Sequence, residues 1–284
     1  MILLMILIYL WCIKPNKLTK ERRKKMQTYI SHYIAHRGLF DSNLSIPENS
    51  IPAFKRAVEH GFGIELDVRL TKDRQLVVFH DATLLRMCGV NKKVADLTYE
   101  ELQQYRLEHT NHGIPALKEV LNVIDQKVPV VIEIKAEKNS ALTAKILDQQ
   151  LKARHYNSNF CIESFKPFAL KWYRDHRPEI IRGQLVSDYI KNRKNRSLFV
   201  SLILNGLLLN VFSRPDFIAY NYKCANKEKY RIMRKLFQFI SAGWTFKSEE
   251  ELKRVRNIFE IIIFDGFIPS NQKAKGKMEL INKH

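Results

Sequence analysis

The feature that most constrains the fold is an alternation of short β-branched runs with amphipathic helical patterns, which starts at Tyr33 and continues almost to the C-terminus. Such an alternation predicts repeated βα units and a parallel sheet. We place strands at 33–36, 63–68, 129–135, 159–164, 181–186, 217–221, 239–244 and 260–265. We expect helices at 51–60, 117–125, 140–153, 167–177, 227–237 and 248–258. Eight parallel strands predict an α/β TIM (β/α)8 barrel, whose active site lies at the carboxyl ends of the strands.

A further apolar run, at 76–80, does not fit as a barrel strand. The link Thr71-Lys72-Asp73-Arg74 is too short for the crossover that a parallel strand requires. We therefore expect a hairpin excursion after the second strand, which returns His80 to the rim of the barrel.

Two acidic residues interrupt the second strand. Glu65 and Asp67 are two positions apart, so their side chains point to one face, while Ile64, Leu66 and Val68 point to the other. Unpaired carboxylates in a core are costly. A metal ion, a substrate cation or a basic side chain is therefore expected between them.

Other polar residues follow the neighbouring strands. His36 and Arg37 end the first strand, His80 closes the hairpin, and Glu133 and Lys135 end the third strand. With the two acids of the second strand this makes three carboxylates, whose hard oxygen atoms suit Mg²⁺ or Ca²⁺ better than zinc. An arginine and a lysine suit a phosphate, and two histidines suit acid and base catalysis near neutral pH.

A structural interpretation competes with this one. Glu65 and Asp67 could pair with Arg37 and Lys135 as an ion cluster without metal, because ion-pair networks are commoner than active sites. For each pair alone this interpretation is favoured. A purely structural role does not explain so many charges at one rim, however, because apolar residues at these positions would stabilise the core more than buried ion pairs do.

Several ordered motifs resemble the glycerophosphodiester phosphodiesterase family. They are HRG, PENS, IELDVRLTKDRQLVVFHD, IPALKEVL and VVIEIK, followed less closely by Ser164-Phe165 and Trp244-Thr245. Near the C-terminus the sequence departs from the family pattern, with Phe264-Asp265 where Thr-Asp is usual. The resemblance implies a TIM barrel. It also implies roles for eight residues: Glu65, Asp67 and Glu133 as ligands of a divalent metal, His36 and His80 as the acid/base pair, Arg37 and Lys135 on the phosphate, and Trp244 in the glycerol pocket.

The same resemblance implies a reaction. A glycerophosphodiester is cleaved to glycerol 3-phosphate and an alcohol, by attack of the glycerol 2-hydroxyl on phosphorus and opening of the cyclic phosphate by water. One alternative is a phosphodiesterase that cleaves lysophospholipids in the manner of a phospholipase D. A second is a barrel that has lost catalysis and binds lipid or phosphate at a membrane.

The net positive charge and the apolar N-terminal run both suggest that the protein acts at a membrane surface. Forty-eight Lys and Arg oppose 29 Asp and Glu, giving a net charge of +19, which predicts a polyanionic partner or surface. The unbroken apolar run 1–13 is short for a span, which needs about 20 residues, and a basic stretch follows it. We expect residues 1–28 to form a membrane anchor and basic linker, with a barrel domain at 29–284 on the cytoplasmic side.

A second apolar segment, 197–212, follows the apolar run 1–13 and lies in an insertion at about 190–214. It is apolar nearly all round, so it is either deeply buried or dips into a bilayer surface, and we favour the bilayer. We expect an anionic membrane to contact residues 1–25 and 197–212, and we expect no nucleic-acid partner. The four cysteines form no CxxC pair and suit a reducing compartment.

Overall fold

The computed structural model describes residues 1–136, 139–156, 159–187, 197, 207–223, 227–255 and 258–270. Within these residues, eight parallel strands close into a barrel, because the first strand pairs with both the second and the last. The predicted TIM barrel is confirmed. Its strands are β1 (Tyr33–His36), β2 (Gly63–Leu70), β4 (Val130–Ile134), β5 (Phe160–Ser164), β6 (Arg182–Val186), β7 (Phe217–Asn221), β8 (Ile240–Phe246) and β9 (Ile261–Phe264), with β3 (Leu76–Val78) beside β2.

Helices surround the strands among the described residues, six of them at positions that the apolar periodicity predicts, and two more precede the barrel. In chain order the helices are α1 (Ile2–Ile13), α2 (Lys20–Ile30), α3 (Ile51–Glu59), α4 (Leu85–Cys88), α5 (Tyr99–Leu102), α6 (Leu117–Ile124), α7 (Ser140–Ala153), α8 (Pro167–His176), α9 (Asn210–Ser213), α10 (Lys227–Phe237) and α11 (Glu249–Val255). Single 3-10 turns lie at Ser42–Leu44, Val94–Asp96 and Leu107–His109.

The barrel strands are buried on both faces. In β2, Ile64, Leu66 and Val68 join the outer core that lies between the sheet and the helices. Glu65 and Asp67 alternate with them and therefore point into the barrel. The predicted alternation thus places both carboxylates inside.

The predicted hairpin is also confirmed. β3 pairs antiparallel with β2, with Val68 opposite Val78 and Leu70 opposite Leu76. The chain then forms a small hydrophobic cluster of its own, which includes Phe79, before it enters α6. The excursion therefore has a separate core, which supports the segment that carries His80.

Helix α2 closes the amino-terminal end of the barrel. Met26, Tyr29 and Ile30 are buried in the inner core together with residues of the strands. Arg22 donates from Nε to Asp216 Oδ1 at 2.9 Å and forms an ion pair with the other carboxylate oxygen. The sequence placed Arg22 in a linker that faces solvent or lipid, and this is wrong for Arg22 because the buried carboxylate of Asp216 holds it against the barrel.

The apolar helix α1 leaves most of its surface uncovered. The side chains of residues 2–8 are 49% to 73% exposed. Its last residue, Ile13, is buried and accepts a hydrogen bond from Asn210 at 3.0 Å, while Arg214 donates to the Trp11 carbonyl at 2.8 Å and lies over its ring. Among the residues that the structure describes, no helix has both the length and the apolarity to cross a bilayer.

Most of the predicted insertion at 190–214 lies outside the described residues, which resume at Leu207. From there the chain packs on the barrel. Leu207 and Ser213 are buried, and the ring of Phe212 lies 5.7 Å from that of Phe168 on α8. For residues 198–206 the predicted contact with a bilayer stays a prediction.

Candidate active site

Three carboxylates meet inside the barrel near the carboxyl ends of β2 and β4. Glu65 and Asp67 come from β2, and the strand register places Glu133 of β4 beside Asp67. All three side chains are buried, and one oxygen from each lies within 4.8 Å of the other two. The sequence prediction that these residues converge is confirmed.

These carboxylates fit a divalent cation. Glu65 Oε1, Asp67 Oδ1 and Glu133 Oε1 are buried and have no hydrogen-bond partner among the described residues. Buried polar atoms normally have partners, so three such oxygen atoms in one cluster indicate a missing ligand. Carboxylate oxygens are the ligands that Mg²⁺ and Ca²⁺ prefer.

The three acids differ in how readily they ionise. Burial, together with the charges of Asp67 and other neighbouring acids, raises the pKa of Glu65 well above its usual range. Burial also raises the pKa of Glu133 to about 7, although Lys135 opposes this effect. For Asp67, Lys135 and Arg37 outweigh the effect of burial and hold the pKa well below its usual range. Without a cation, protons therefore bind Glu65 and Glu133 more readily than Asp67.

Two basic residues frame the cluster. Lys135 Nζ lies 2.8 Å from Glu133 Oε2 and 3.3 Å from Asp67 Oδ1. Arg37 Nε lies 3.4 Å from Asp67 Oδ2, and its Nη1 donates to Glu48 at 2.8 Å. The structural alternative of direct ion pairs is thus partly realised, but among the described residues it leaves Glu65 Oε1 and Glu133 Oε1 without a partner and Asp67 Oδ1 without a hydrogen bond.

A tight turn after β1 aims Arg37 at the acids. Arg37 itself has a φ of 58° and Gly38 a φ of 80°, so the chain reverses within two residues. The Arg37 amide donates to Glu65 at 3.0 Å, and its carbonyl accepts from the Asn49 amide at 2.8 Å. Asn49 in turn donates from its side chain to Asp67 at 2.9 Å. The motifs HRG and PENS therefore fold as one unit around the carboxylates.

Each predicted catalytic histidine contacts a carboxylate through Nδ1. In His36 this atom lies 3.2 Å from Asp265 Oδ2, and in His80 it lies 2.7 Å from Asp81 Oδ1. Burial lowers the pKa of His36, although Asp265 opposes this effect. The His80 carbonyl accepts two hydrogen bonds from Arg69, which fixes the end of the hairpin.

The predicted residues share one cavity of about 460 Å³, with Asp67 fully buried beside it. Trp244 forms part of its wall, edge-on to Phe165 with ring centres 5.8 Å apart. The indole Nε1 is buried and has no partner among the described residues. The members predicted from sequence that line the cavity are His36, Arg37, Glu65, His80, Glu133, Lys135 and Trp244.

Sequence reasoning missed three acidic residues of this cavity. Glu48, which the sequence analysis includes only within the PENS motif, accepts hydrogen bonds from both Arg37 and Arg86. Asp265 was noted only as the neighbour of Phe264, which departs from a motif, and not as a partner of His36. Glu163 lines the cavity from β5, and the only signal for it is a charge within an apolar strand.

Comparisons with known proteins agree with this geometry. The sequence profile of the glycerophosphoryl diester phosphodiesterase family matches residues 36–255. Lysophospholipase D GDPD1 of Rattus norvegicus is 40% identical over 148 residues, which cover 47% of this chain and 46% of the relative. A glycerophosphodiester phosphodiesterase of Caldanaerobacter subterraneus subsp. tengcongensis is 38% identical over 162 residues, 54% of this chain and 65% of that protein. The chain therefore matches less than two thirds of the length of either relative.

Solved structures show the same fold. A glycerophosphodiester phosphodiesterase from Thermotoga maritima has a TM-score of 0.58 and 28% identity, covering 82% of this chain and 94% of that one. A phosphodiesterase from Oleispira antarctica, solved with the product sn-glycerol-3-phosphate, has a TM-score of 0.65 and 24% identity, covering 82% and 92%.

Proposed function

This chain belongs to the glycerophosphoryl diester phosphodiesterase family, and we propose that it hydrolyses glycerophosphodiesters to glycerol 3-phosphate and an alcohol. The observation that carries the proposal is the cluster of three buried carboxylates with unpartnered oxygens, next to two cations and two histidines in one cavity. Each charge type that a phosphodiester reaction needs is present. An inactive lipid-binding barrel would have no use for the histidines.

In this proposal Glu65, Asp67 and Glu133 hold one Mg²⁺ or Ca²⁺. When bound, the ion supplies positive charge that stabilises negative charge on the phosphate oxygens. Lys135 and Arg37 supply further positive charge at the same place, Arg37 as a forked donor and Lys135 as a point charge. Because Glu48 and the metal-site acids already hold both cations in position, little reorganisation is needed when the phosphate arrives.

The two histidines act as base and acid. His36 has a pKa that is lowered by burial, and its Nδ1 contacts Asp265. Its Nε2, which lies 3.9 Å from Glu65 Oε2, takes a proton from the glycerol 2-hydroxyl. That oxygen attacks phosphorus, the bond from phosphorus to the alcohol breaks, and His80 donates a proton to the leaving oxygen. Water then attacks the cyclic phosphate and gives a proton to His80, the bond to the 2-oxygen breaks, and His36 returns its proton to this oxygen. The product is glycerol 3-phosphate.

A second candidate substrate class is lysophospholipids. Two observations favour it: the exposed apolar surface of α1, and a relative that carries the name lysophospholipase D. We propose further that α1 contacts a membrane surface, with the basic residues after it close to anionic lipid. This would place the catalytic domain at the cytoplasmic side of a membrane, whichever class of diester it cleaves.

The direct test is mass spectrometry of the products that the purified protein forms from a mixed panel of glycerophosphodiesters and lysophospholipids. We expect glycerol 3-phosphate with Mg²⁺ or Ca²⁺, and none with EDTA. Release of lysophosphatidic acid instead would assign the lysophospholipid activity. If the protein binds the metal but turns over no diester, the enzymatic proposal is wrong and the lipid-binding alternative stands.

A further inference from the structure

Glu163 is a buried carboxylate that the proposed reaction does not use. It is 2% exposed, lines the same cavity, and makes no ion pair or side-chain hydrogen bond with any described residue. Its Oε2 atom is buried without a partner. It is not part of the group of three acids whose oxygens converge for a metal.

The position of Glu163 follows from the strand register. It pairs with Glu133 across β4 and β5, so it lies one strand beyond the metal-site acids on the side away from β1 and His36. Cys161, two residues earlier on the same face, belongs to the inner core, and Phe165, two residues later, lies in the cavity wall. Glu163 is therefore at the floor of the cavity, between the core below and the opening above.

The wall around Glu163 is charged on the side of β4, where Glu133 and Lys135 lie, and apolar on the other side. Phe165, Leu185 and Trp244 line this part of the cavity. Burial and the charge of Glu133 raise the pKa of Glu163 well above its usual range, which favours the neutral carboxyl. A buried polar oxygen without a hydrogen bond still costs about 1 to 3 kcal/mol. A ligand that donates a hydrogen bond to this oxygen removes that cost.

We propose that Glu163 accepts a hydrogen bond from the glycerol hydroxyl that takes no part in the reaction. This inference rests on the proposed function, which places the phosphate at Arg37 and Lys135 and the attacking 2-hydroxyl at His36. The remaining hydroxyl, on the terminal carbon, then extends past Lys135 toward β5. Phe165 and Trp244 cover the carbon chain beside it.

This assignment makes Glu163 a specificity-determining residue. In a deacylated glycerophosphodiester the terminal hydroxyl is a donor, and it satisfies the carboxylate. In a lysophospholipid the same position carries an acyl ester, which has no hydrogen to donate to Oε2 and which adds an acyl chain at a buried position. Glu163 therefore selects free glycerophosphodiesters and rejects their acylated counterparts.

The experiment compares three phosphocholine substrates: glycerophosphocholine, the analogue built on propane-1,2-diol, and a short-chain lysophosphatidylcholine below its micellar concentration. The diol analogue keeps the attacking hydroxyl and lacks only the terminal one. For the wild type we expect kcat/KM to fall by about 100-fold from glycerophosphocholine to either of the other substrates, because the buried acceptor loses its donor. In Glu163→Leu the difference should shrink to less than about threefold, and in Glu163→Gln to a value between the two.

Leu185→Val, which alters the same wall without changing its polarity, is the matched control and should leave the ratio between substrates as in the wild type. Mg²⁺ affinity should be the same in Glu163→Leu as in the wild type. An equal fall on all three substrates, or a loss of Mg²⁺ affinity, would overturn the assignment, because Glu163 would then be structural or a metal ligand. If the wild type hydrolyses none of the three, the proposed function itself fails; hydrolysis of all three at similar rates rejects only the role of Glu163.

Discussion

At the scale of single residues, the three metal-site acids confine negative charge within 4.8 Å in a buried site. In the metal-free protein this charge is reduced by protons, since the pKa of Glu65 is well above its usual range and that of Glu133 is raised to about 7. Protons and a divalent ion therefore compete for the same oxygen atoms. Asp67 stays ionised because Lys135 and Arg37 hold its pKa down.

This competition predicts how the stability of the protein depends on pH. A glutamate whose folded-state pKa is raised stabilises the fold while it is protonated, so this contribution is lost as pH rises from its unfolded value, about 4.3, through about 7. The metal-free protein should therefore have a lower Tm at pH 8 than at pH 5.5. Bound Mg²⁺ or Ca²⁺ replaces the protons, so the gain in Tm on adding metal should be larger at pH 8.

Thermal unfolding with metal or with EDTA at the two pH values checks this prediction. Asp67 does not affect the comparison of Tm between pH 5.5 and pH 8, because its lowered pKa keeps it ionised at both pH values. An equal gain at both pH values, or a larger one at pH 5.5, would mean that the acids do not exchange protons for the ion.

The residues of the candidate site could be predicted from the sequence where the signal is local. The spacing of Glu65 and Asp67 in one strand fixes their common face. The partnership of His36 with Asp265 could not be predicted, because the two residues meet only when β9 closes the barrel against β1. Glu163 was missed for a similar reason, since its importance comes from the cavity around it.

At the scale of elements, α2 is attached to the barrel by a buried ion pair as well as by apolar packing. Asp216 is fully buried, and Arg22 lies against it at 13% exposure. Arg22→Ala leaves that carboxylate with Asn16 and Arg182 as its remaining partners. We expect a loss of about 2 to 4 kcal/mol in the free energy of unfolding, measured by chemical denaturation.

Lys24→Ala is the matched control, because Lys24 is exposed on the same helix. It should change the free energy of unfolding by less than about 0.5 kcal/mol. If Arg22→Ala is as mild as the control, α2 is held by its apolar face alone.

Helix α1 gives a second prediction at this scale. Hydrogen bonds to Asn210, Arg214 and neighbouring backbone attach residues 11–16 to the barrel, so the unattached part of the helix ends before Trp11. Deletion of residues 1–8 should weaken binding to anionic phospholipid vesicles by at least about tenfold, because the exposed apolar surface is lost. Turnover of a soluble diester should be unchanged. Loss of both properties would show that α1 belongs to the fold of the barrel.

The elements were predictable where hydrophobic periodicity was clear, as for α7 and for the hairpin of β2 and β3. Helix α2 was not recognised, because its many basic residues suggest a solvated linker. Its buried face is nevertheless present in the sequence, since Met26, Tyr29 and Ile30 recur at helical spacing. The basic residues between these three positions made the apolar face hard to recognise in the sequence.

At the scale of the whole molecule, the fold brings distant parts of the chain to one rim. The site draws on residues from His36 to Asp265, and only the closed barrel places β1, β2, β4 and β9 side by side. The fold class could be predicted because the βα repeat extends along the chain. The net charge of +19 agrees with a phosphate-bearing substrate and an anionic surface, but it specifies neither.

The central claim is that one rim of the barrel holds a divalent ion and uses it to cleave a glycerophosphodiester. The most direct measurement is the rate of choline release from glycerophosphocholine by the wild type and by Glu65→Ala at saturating Mg²⁺ or Ca²⁺, with far-UV circular dichroism recorded on both. We predict that the wild type is active and that Glu65→Ala, with an unchanged spectrum, loses at least about 1,000-fold in kcat/KM, since one metal ligand is removed. Near-normal activity of Glu65→Ala would contradict the assignment of the metal site and the account built on it.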